Sequence, residues 1–119
     1  MDVVLVEDFG PFRRLLAAEM ADKAPGCIVV GEAANGEAGV EVVGALAPDV
    51  VIMDYRLPGI DGDEATRRIL ARQPTVKVIG FVGEPKDADA LLDAGAAEVF
   101  LKVDLDDLIT HLDELCRAP

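Results

Sequence analysis

Val50-Val51-Ile52-Met53-Asp54-Tyr55-Arg56-Leu57-Pro58-Gly59-Ile60-Asp61-Gly62 is the stretch that decides the fold. Its first four residues form a continuous apolar run, the mark of a strand buried on both faces of a parallel sheet. The run breaks off at Asp54, which puts a carboxylate at the carboxyl edge of a sheet, where open α/β proteins bind their ligands. Pro58 then fixes φ and Gly59 accepts positive φ, so the chain turns before a helix starts near Asp61. A lone acid after a strand is most often a turn or cap residue. A second acidic site earlier in the chain changes that reading.

The second site is Glu7-Asp8, which ends another apolar run, Val3-Val4-Leu5-Val6. Pro11 suits the first turn of a helix with Phe12, Leu15, Leu16 and Met20 on one face. Cys27 to Val30 reads as strand two, and Asn35 as the N-cap of a helix whose Ala38, Val42, Ala45 and Leu46 form a buried stripe, closed by Pro48. Residues 62–72 make a third helix with Asp61, Asp63 and Glu64 at its dipole-favoured start. Residues 76–82 form a fourth strand, followed by a helix carrying Leu91 and Leu92 and stopped by Gly95. Val99-Phe100-Leu101 is the fifth strand and ends at Lys102. Asp104 is expected to cap a last helix, in which Leu105, Leu108, Ile109, Leu112, Leu115 and Cys116 trace an apolar stripe.

Strict alternation of strands and helices with short connections implies a parallel sheet covered on both faces, with right-handed crossovers. Acid sites after strands one and three fit the flavodoxin-like doubly wound (βα)5 order 2-1-3-4-5, in which those strands are neighbours at a topological switch point. The α/β chain of 119 residues reads as a single domain over 1–119.

Composition removes several function classes. Apolar residues make up 51% of the chain, too many for a disordered segment. No apolar run reaches roughly eighteen residues and no basic segment precedes an apolar one, so neither a membrane span nor a signal peptide is expected, and the cytoplasm is the expected location. Lys and Arg number 11 against 23 Asp and Glu, a formal charge of −12, which opposes direct nucleic-acid binding by this domain. Cys27 and Cys116 form no metal-binding or redox spacing and are expected as two thiols packed like small hydrophobes rather than as a disulfide. His111, the only histidine, lies off the apolar stripe and is expected to be exposed.

In the predicted order Glu7, Asp8 and Asp54 share one crevice. Crowded carboxylates repel unless a cation neutralises them, and this hard-oxygen set suits Mg²⁺. Lys102, ending strand five, lies at the same edge as a further charge partner.

LVED, VVIMDYRLPGIDG and AGAAEVFLK, taken in order, resemble the receiver domains of bacterial two-component response regulators, and the resemblance spans essentially the whole chain. VVGEAANGEAGVEVV and GDEATRRI are similar to the branch whose members often carry a C-terminal helix-turn-helix. The resemblance implies that Asp54 accepts a phosphoryl group from a sensor histidine kinase or phosphotransfer protein. It implies Mg²⁺ held by Asp8, Asp54 and the Arg56 backbone carbonyl, with Glu7 acting through metal-bound water and Lys102 pairing with phosphoryl oxygens. It implies no enzyme beyond the domain's own phosphorylation and dephosphorylation, and it leaves room for a homodimer.

Three positions depart from the family pattern. Val82 stands where a Ser or Thr hydroxyl bonds the phosphoryl group, and the chain has no serine at all; a charge-assisted hydrogen bond of about 1.5–3 kcal/mol is lost. Val99 replaces the aromatic switch, with Phe100 on the opposite strand face. Val103 replaces the proline after the lysine. Phosphoryl transfer with altered output is therefore the leading reading, and a phosphorylation-independent protein-interaction module the alternative. A flavodoxin-type enzyme or Mg²⁺ phosphatase fits worse, since EDFGPF is no flavin phosphate loop and Asp54 lacks a D-x-D partner.

Overall fold

The computed structural model describes residues 1–117. Strand β1 (Asp2–Val6) leads to helix α1 (Gly10–Lys23), β2 (Ile28–Ala33), α2 (Gly36–Leu46), β3 (Val50–Met53), α3 (Gly62–Arg72), β4 (Lys77–Val82), α4 (Pro85–Ala94), β5 (Glu98–Leu101) and α5 (Leu105–Arg117). The strands make one parallel sheet in the order β2-β1-β3-β4-β5, as the acid sites predict. Its central members β1 and β3 are short and apolar, and every residue of the run Val3 to Val6 and of Val50 to Met53 is buried. Helices on both faces bury them. One core gathers Val4, Val6, Val51 and Met53 with Val43, Ala65, Ile69 and Leu91. The other gathers Val3, Leu5, Val50 and Ile52 with Leu16, Met20, Leu108 and Leu112. Alternate residues of each strand feed opposite cores, as the pleat requires.

Asn35 caps α2 as expected, its Oδ1 accepting from the Ala38 amide at 2.8 Å. The buried face of α2 is not the expected one. Gly36, Gly39 and Val43 face inward, while Ala45 and Leu46 are exposed. The glycines let the helix lie directly on the sheet: a Cβ on Gly39 would stand 3.0 Å from both Val6 methyls, and one on Gly36 2.6 Å from Ile60. Leu15 of α1 is likewise exposed, leaving Phe12, Leu16 and Met20 to face the sheet. At the far end, Asp104 does not cap α5. Residues Lys102–Asp104 form a 3₁₀ turn that runs straight into the helix, because the chain tightens as it leaves β5.

Cys27 and Cys116 are not free thiols. They form a disulfide between the start of β2 and the last turn of α5, with Cα atoms 5.7 Å apart across a sequence separation of 89. The sheet order brings together two segments that their spacing in the chain keeps apart. His111 is half-buried rather than exposed, its ring 5.5 Å from that of Phe100 and its Nε2 beside Glu98 Oε2. No helix among the described residues is long and apolar enough to cross a membrane.

Candidate functional site

The adjacent ends of β1 and β3 bring the two acid sites together. The Glu7 amide donates to Ala33 O at 3.0 Å and the Asp54 amide to Val6 O at 3.1 Å, so both acids continue the parallel ladder as their side chains leave it. Glu7 and Asp54 are buried, at 5% and 6% exposure, while Asp8 is open to solvent. Each of the three offers a carboxylate oxygen, and these oxygens lie within 4.8 Å of one another.

Lys102 joins them from the end of β5. Its Nζ donates to Glu7 Oε1 at 2.6 Å and to Asp54 Oδ2 at 2.9 Å, and lies 5.0 Å from the centroid of the Phe12 ring. Phe12 in turn stacks on Phe81 at 5.6 Å, so the ring beneath the lysine is itself backed by a second one. The second oxygen of each acid is also held: Glu7 Oε2 accepts from the Phe9 amide at 3.0 Å and Asp54 Oδ1 from the Tyr55 amide at 2.7 Å.

Burial pushes the Glu7 carboxyl up, against the lowering pull of Lys102 and the Phe9 amide, and the Asp54 charge adds to the rise. Burial pulls the Lys102 ammonium down, but its hydrogen bonds to Glu7 and Asp54 outweigh this and hold it above the ordinary lysine range. The result is a negative crevice with one fixed internal cation. The donor set is all carboxylate oxygen and one acid faces water, which is the chemistry that a hard, partly hydrated divalent cation such as Mg²⁺ requires.

The loop after Asp54 is fixed by Gly62. Its amide donates to Tyr55 O at 2.7 Å, and a Cβ there would fall 1.9 Å from Asp54 O, so only glycine lets α3 start this close to the acid. The Arg56 side chain crosses to α4, where Nε donates to Asp87 Oδ2 at 3.0 Å. This bond holds the arginine still more firmly in its charged form. Asp87 is 6% exposed, and nothing in PKDADALL marked it beyond an acid in the first turn of a helix. Arg13 escaped the sequence reading too. Its Nη1 donates to Glu7 O at 2.6 Å and its Nε to Glu32 Oε1 at 2.8 Å.

Of the substituted positions, Val82 is fully buried at the end of β4 and Val99 packs half-buried against the same core, on the side of α3 and α4. Phe100 lies on the other face, among the residues packed with α1 and α5.

The sequence profile of the response regulator receiver domain matches residues 3–113. The chain belongs to the receiver domain family. Protein-glutamate methylesterase/protein-glutamine glutaminase of Alkalilimnicola ehrlichii is 43% identical to this receiver over 103 residues, which are 83% of this chain and 26% of that protein. Response regulator GacA of Pseudomonas syringae is 39% identical over 102 residues, 84% of this chain and 47% of GacA. The receiver thus spans between about a quarter and a half of these curated relatives. Among solved structures, the response regulator domain of Thermotoga maritima CheB superposes with TM-score 0.83 at 29% identity, covering 98% of this chain and 93% of that one. A LuxR-family two-component response regulator from Aurantimonas gives 0.87 at 28% identity, covering 97% and 84%. The receiver functions in phosphorylation-based two-component signalling, in which such domains work with histidine kinases or phosphotransfer proteins.

Proposed function

We propose that Asp54 is the phosphoacceptor of this receiver. The single observation that supports this most is the convergence of Asp54, Glu7, Asp8 and Lys102 from three separate strand ends on one crevice of about 570 Å³. An Asp54 oxygen attacks the phosphorus of a phosphohistidine on the donor, the P–N bond breaks, and its electron pair stays on the imidazole nitrogen. Lys102 sits where it can follow the negative charge from the Asp54 oxygen to the equatorial phosphoryl oxygens. Glu7, Asp8, Asp54 and the Arg56 carbonyl would hold Mg²⁺, which supplies charge neutralisation to the transferred group when bound. Arg56 and Lys86 line the mouth and add cationic surface where an anionic donor enters.

The whole of 1–119 serves as one cytoplasmic phosphoacceptor domain that turns over no separate substrate, and its partner is a sensor histidine kinase or phosphotransfer protein. A second reading rests on Val82 and Val99: with no hydroxyl to draw the end of β4 inward and no aromatic ring to swing, the α4-β5-α5 face is largely preset and binds a partner in either state. Incubation with acetyl phosphate and Mg²⁺, followed by intact-mass analysis, tests the first reading. A single phosphoryl adduct is expected in wild type and none in Asp54→Asn; an adduct that persists in Asp54→Asn removes Asp54 from the role.

A further inference from the structure

The amino edge of the sheet, opposite the acidic crevice, carries chemistry that phosphotransfer does not use. We propose that the Cys27–Cys116 bridge is a reversible redox clasp on the end of α5, opened and closed by exchange with a low-molecular-weight thiol, and that Cys116 is the sulfur such a thiol attacks. The two sulfurs are unequally placed. Cys27 is 4% exposed, belongs to a core with Met20 and Ala24, and has its Sγ 3.4 Å from Leu112 O. Cys116 is half-buried on the last turn of the helix, beside the exposed Met1, whose Sδ lies 3.9 Å away. Thiol–disulfide exchange requires a thiolate to reach one sulfur, and access selects which.

A thiolate RS⁻ attacks Cys116 Sγ, an RS–Sγ bond forms, and the Cys27 sulfur leaves with the electron pair of the broken bond and takes a proton from water. A second RS⁻ attacks the sulfur of R, which gives RSSR and a Cys116 thiolate that is then protonated. Two thiols lose one electron each, and the protein disulfide gains two. RSSR runs the same steps in reverse.

The clasp has something to hold. The buried residues of α5 are Leu108, Ile109 and Leu112, all before the last turn. From Asp113 onward the described helix is tied down by half-buried Leu115, by an Arg117–Asp113 pair at 2.8 Å within the helix itself, and by the bridge. The turn it is tied to is equally close. A Cβ on Gly26 would meet both Cβ and O of Cys116 at 3.2 Å, and the Met1 ammonium donates to Gly26 O at 2.9 Å. Opening the bridge removes the covalent contact from a terminal stretch of α5 that has no buried residue, where local opening costs little.

The proposal is independent of whether Asp54 is phosphorylated. The intact chain is equilibrated in glutathione buffers of graded GSH to GSSG ratio, quenched with iodoacetamide for mass analysis, and followed by hydrogen exchange. A reversible two-electron transition inside the glutathione range is expected, with exchange of amides 113–117 rising several-fold on reduction and the crevice peptides unchanged. Peptide mapping of the trapped mixed disulfide places glutathione on Cys116 in wild type, and Cys27→Ala takes up one glutathione where Cys116→Ala takes up none. A bridge that stays closed at every ratio, unchanged exchange after reduction, or glutathione mapping to Cys27 would each overturn the clasp as stated.

Discussion

Glu7 and Val82 carry the residue-scale consequences. Glu7 is held with its carboxyl above the ordinary range, because burial outweighs its hydrogen bonds from Lys102 and the Phe9 amide. The folded chain therefore keeps the Glu7 proton to higher pH than the unfolded chain does, and the residue favours folding on the acid side. The stability of wild type minus that of Glu7→Gln should fall as pH rises from the ordinary carboxylate range through the raised Glu7 range, and then level off. Denaturant unfolding across that window measures it, and a difference that climbs with pH would mean that the Lys102 pair dominates over burial. At Val82 the expectation has two signs. A hydroxyl placed at this fully buried position without a partner costs about 1–3 kcal/mol in the resting protein. On the proposed phosphorylation of Asp54 the same hydroxyl would gain an acceptor, so Val82→Thr should lower the melting midpoint at rest and enlarge the amide shifts from Gly83 to Leu92 on adding a phosphoryl mimic. Large wild-type shifts there that the threonine leaves unchanged would place the coupling elsewhere.

At the scale of elements, the loop after β3 and the start of α4 are joined by one ion pair between an exposed arginine and a buried acid. Removing Arg56 leaves the buried Asp87 carboxylate without its partner, which costs more than the pair itself contributes. Arg56→Ala should lower the melting midpoint more than Arg56→Ala/Asp87→Asn does. If the double variant is no better than the single one, the pair does not anchor α4. This link was invisible in sequence, because an acid three residues into a helix is what any soluble helix shows. Helices were harder to read than strands for the same reason. Runs such as VVLV and VVIM name themselves by apolarity alone, and so the sheet order, the acid sites and the arrival of Lys102 were all legible. The inward face of α2 was not, since counting apolar side chains overlooks Gly36 and Gly39, which pack by having none. Asp104 failed as a cap because the backbone tightens into a 3₁₀ turn instead, a choice no residue type there dictates.

On the scale of the whole molecule, the net charge of −12 concentrates its cost where carboxylates converge. A cation that binds only the folded state stabilises it by about 1.4 kcal/mol at tenfold its dissociation constant. Melting with and without Mg²⁺ should show a rise in wild type that Asp8→Ala abolishes, and an equal rise in that variant would exclude the carboxylate cluster as the site. The disulfide was hidden for a reason of the same scale: nothing local to Cys27 or Cys116 tells that β2 and α5 meet, and only the assembled sheet does. The strand order also joins distant parts of the chain at one point. Lys102 pairs with Glu7 across 95 positions and with Asp54 across 48, and β4 stands between β3 and the strand that delivers the lysine. The crevice therefore acquires its internal cation only in a sheet complete from β1 to β5, which makes the filled lysine position a report on the integrity of the whole fold.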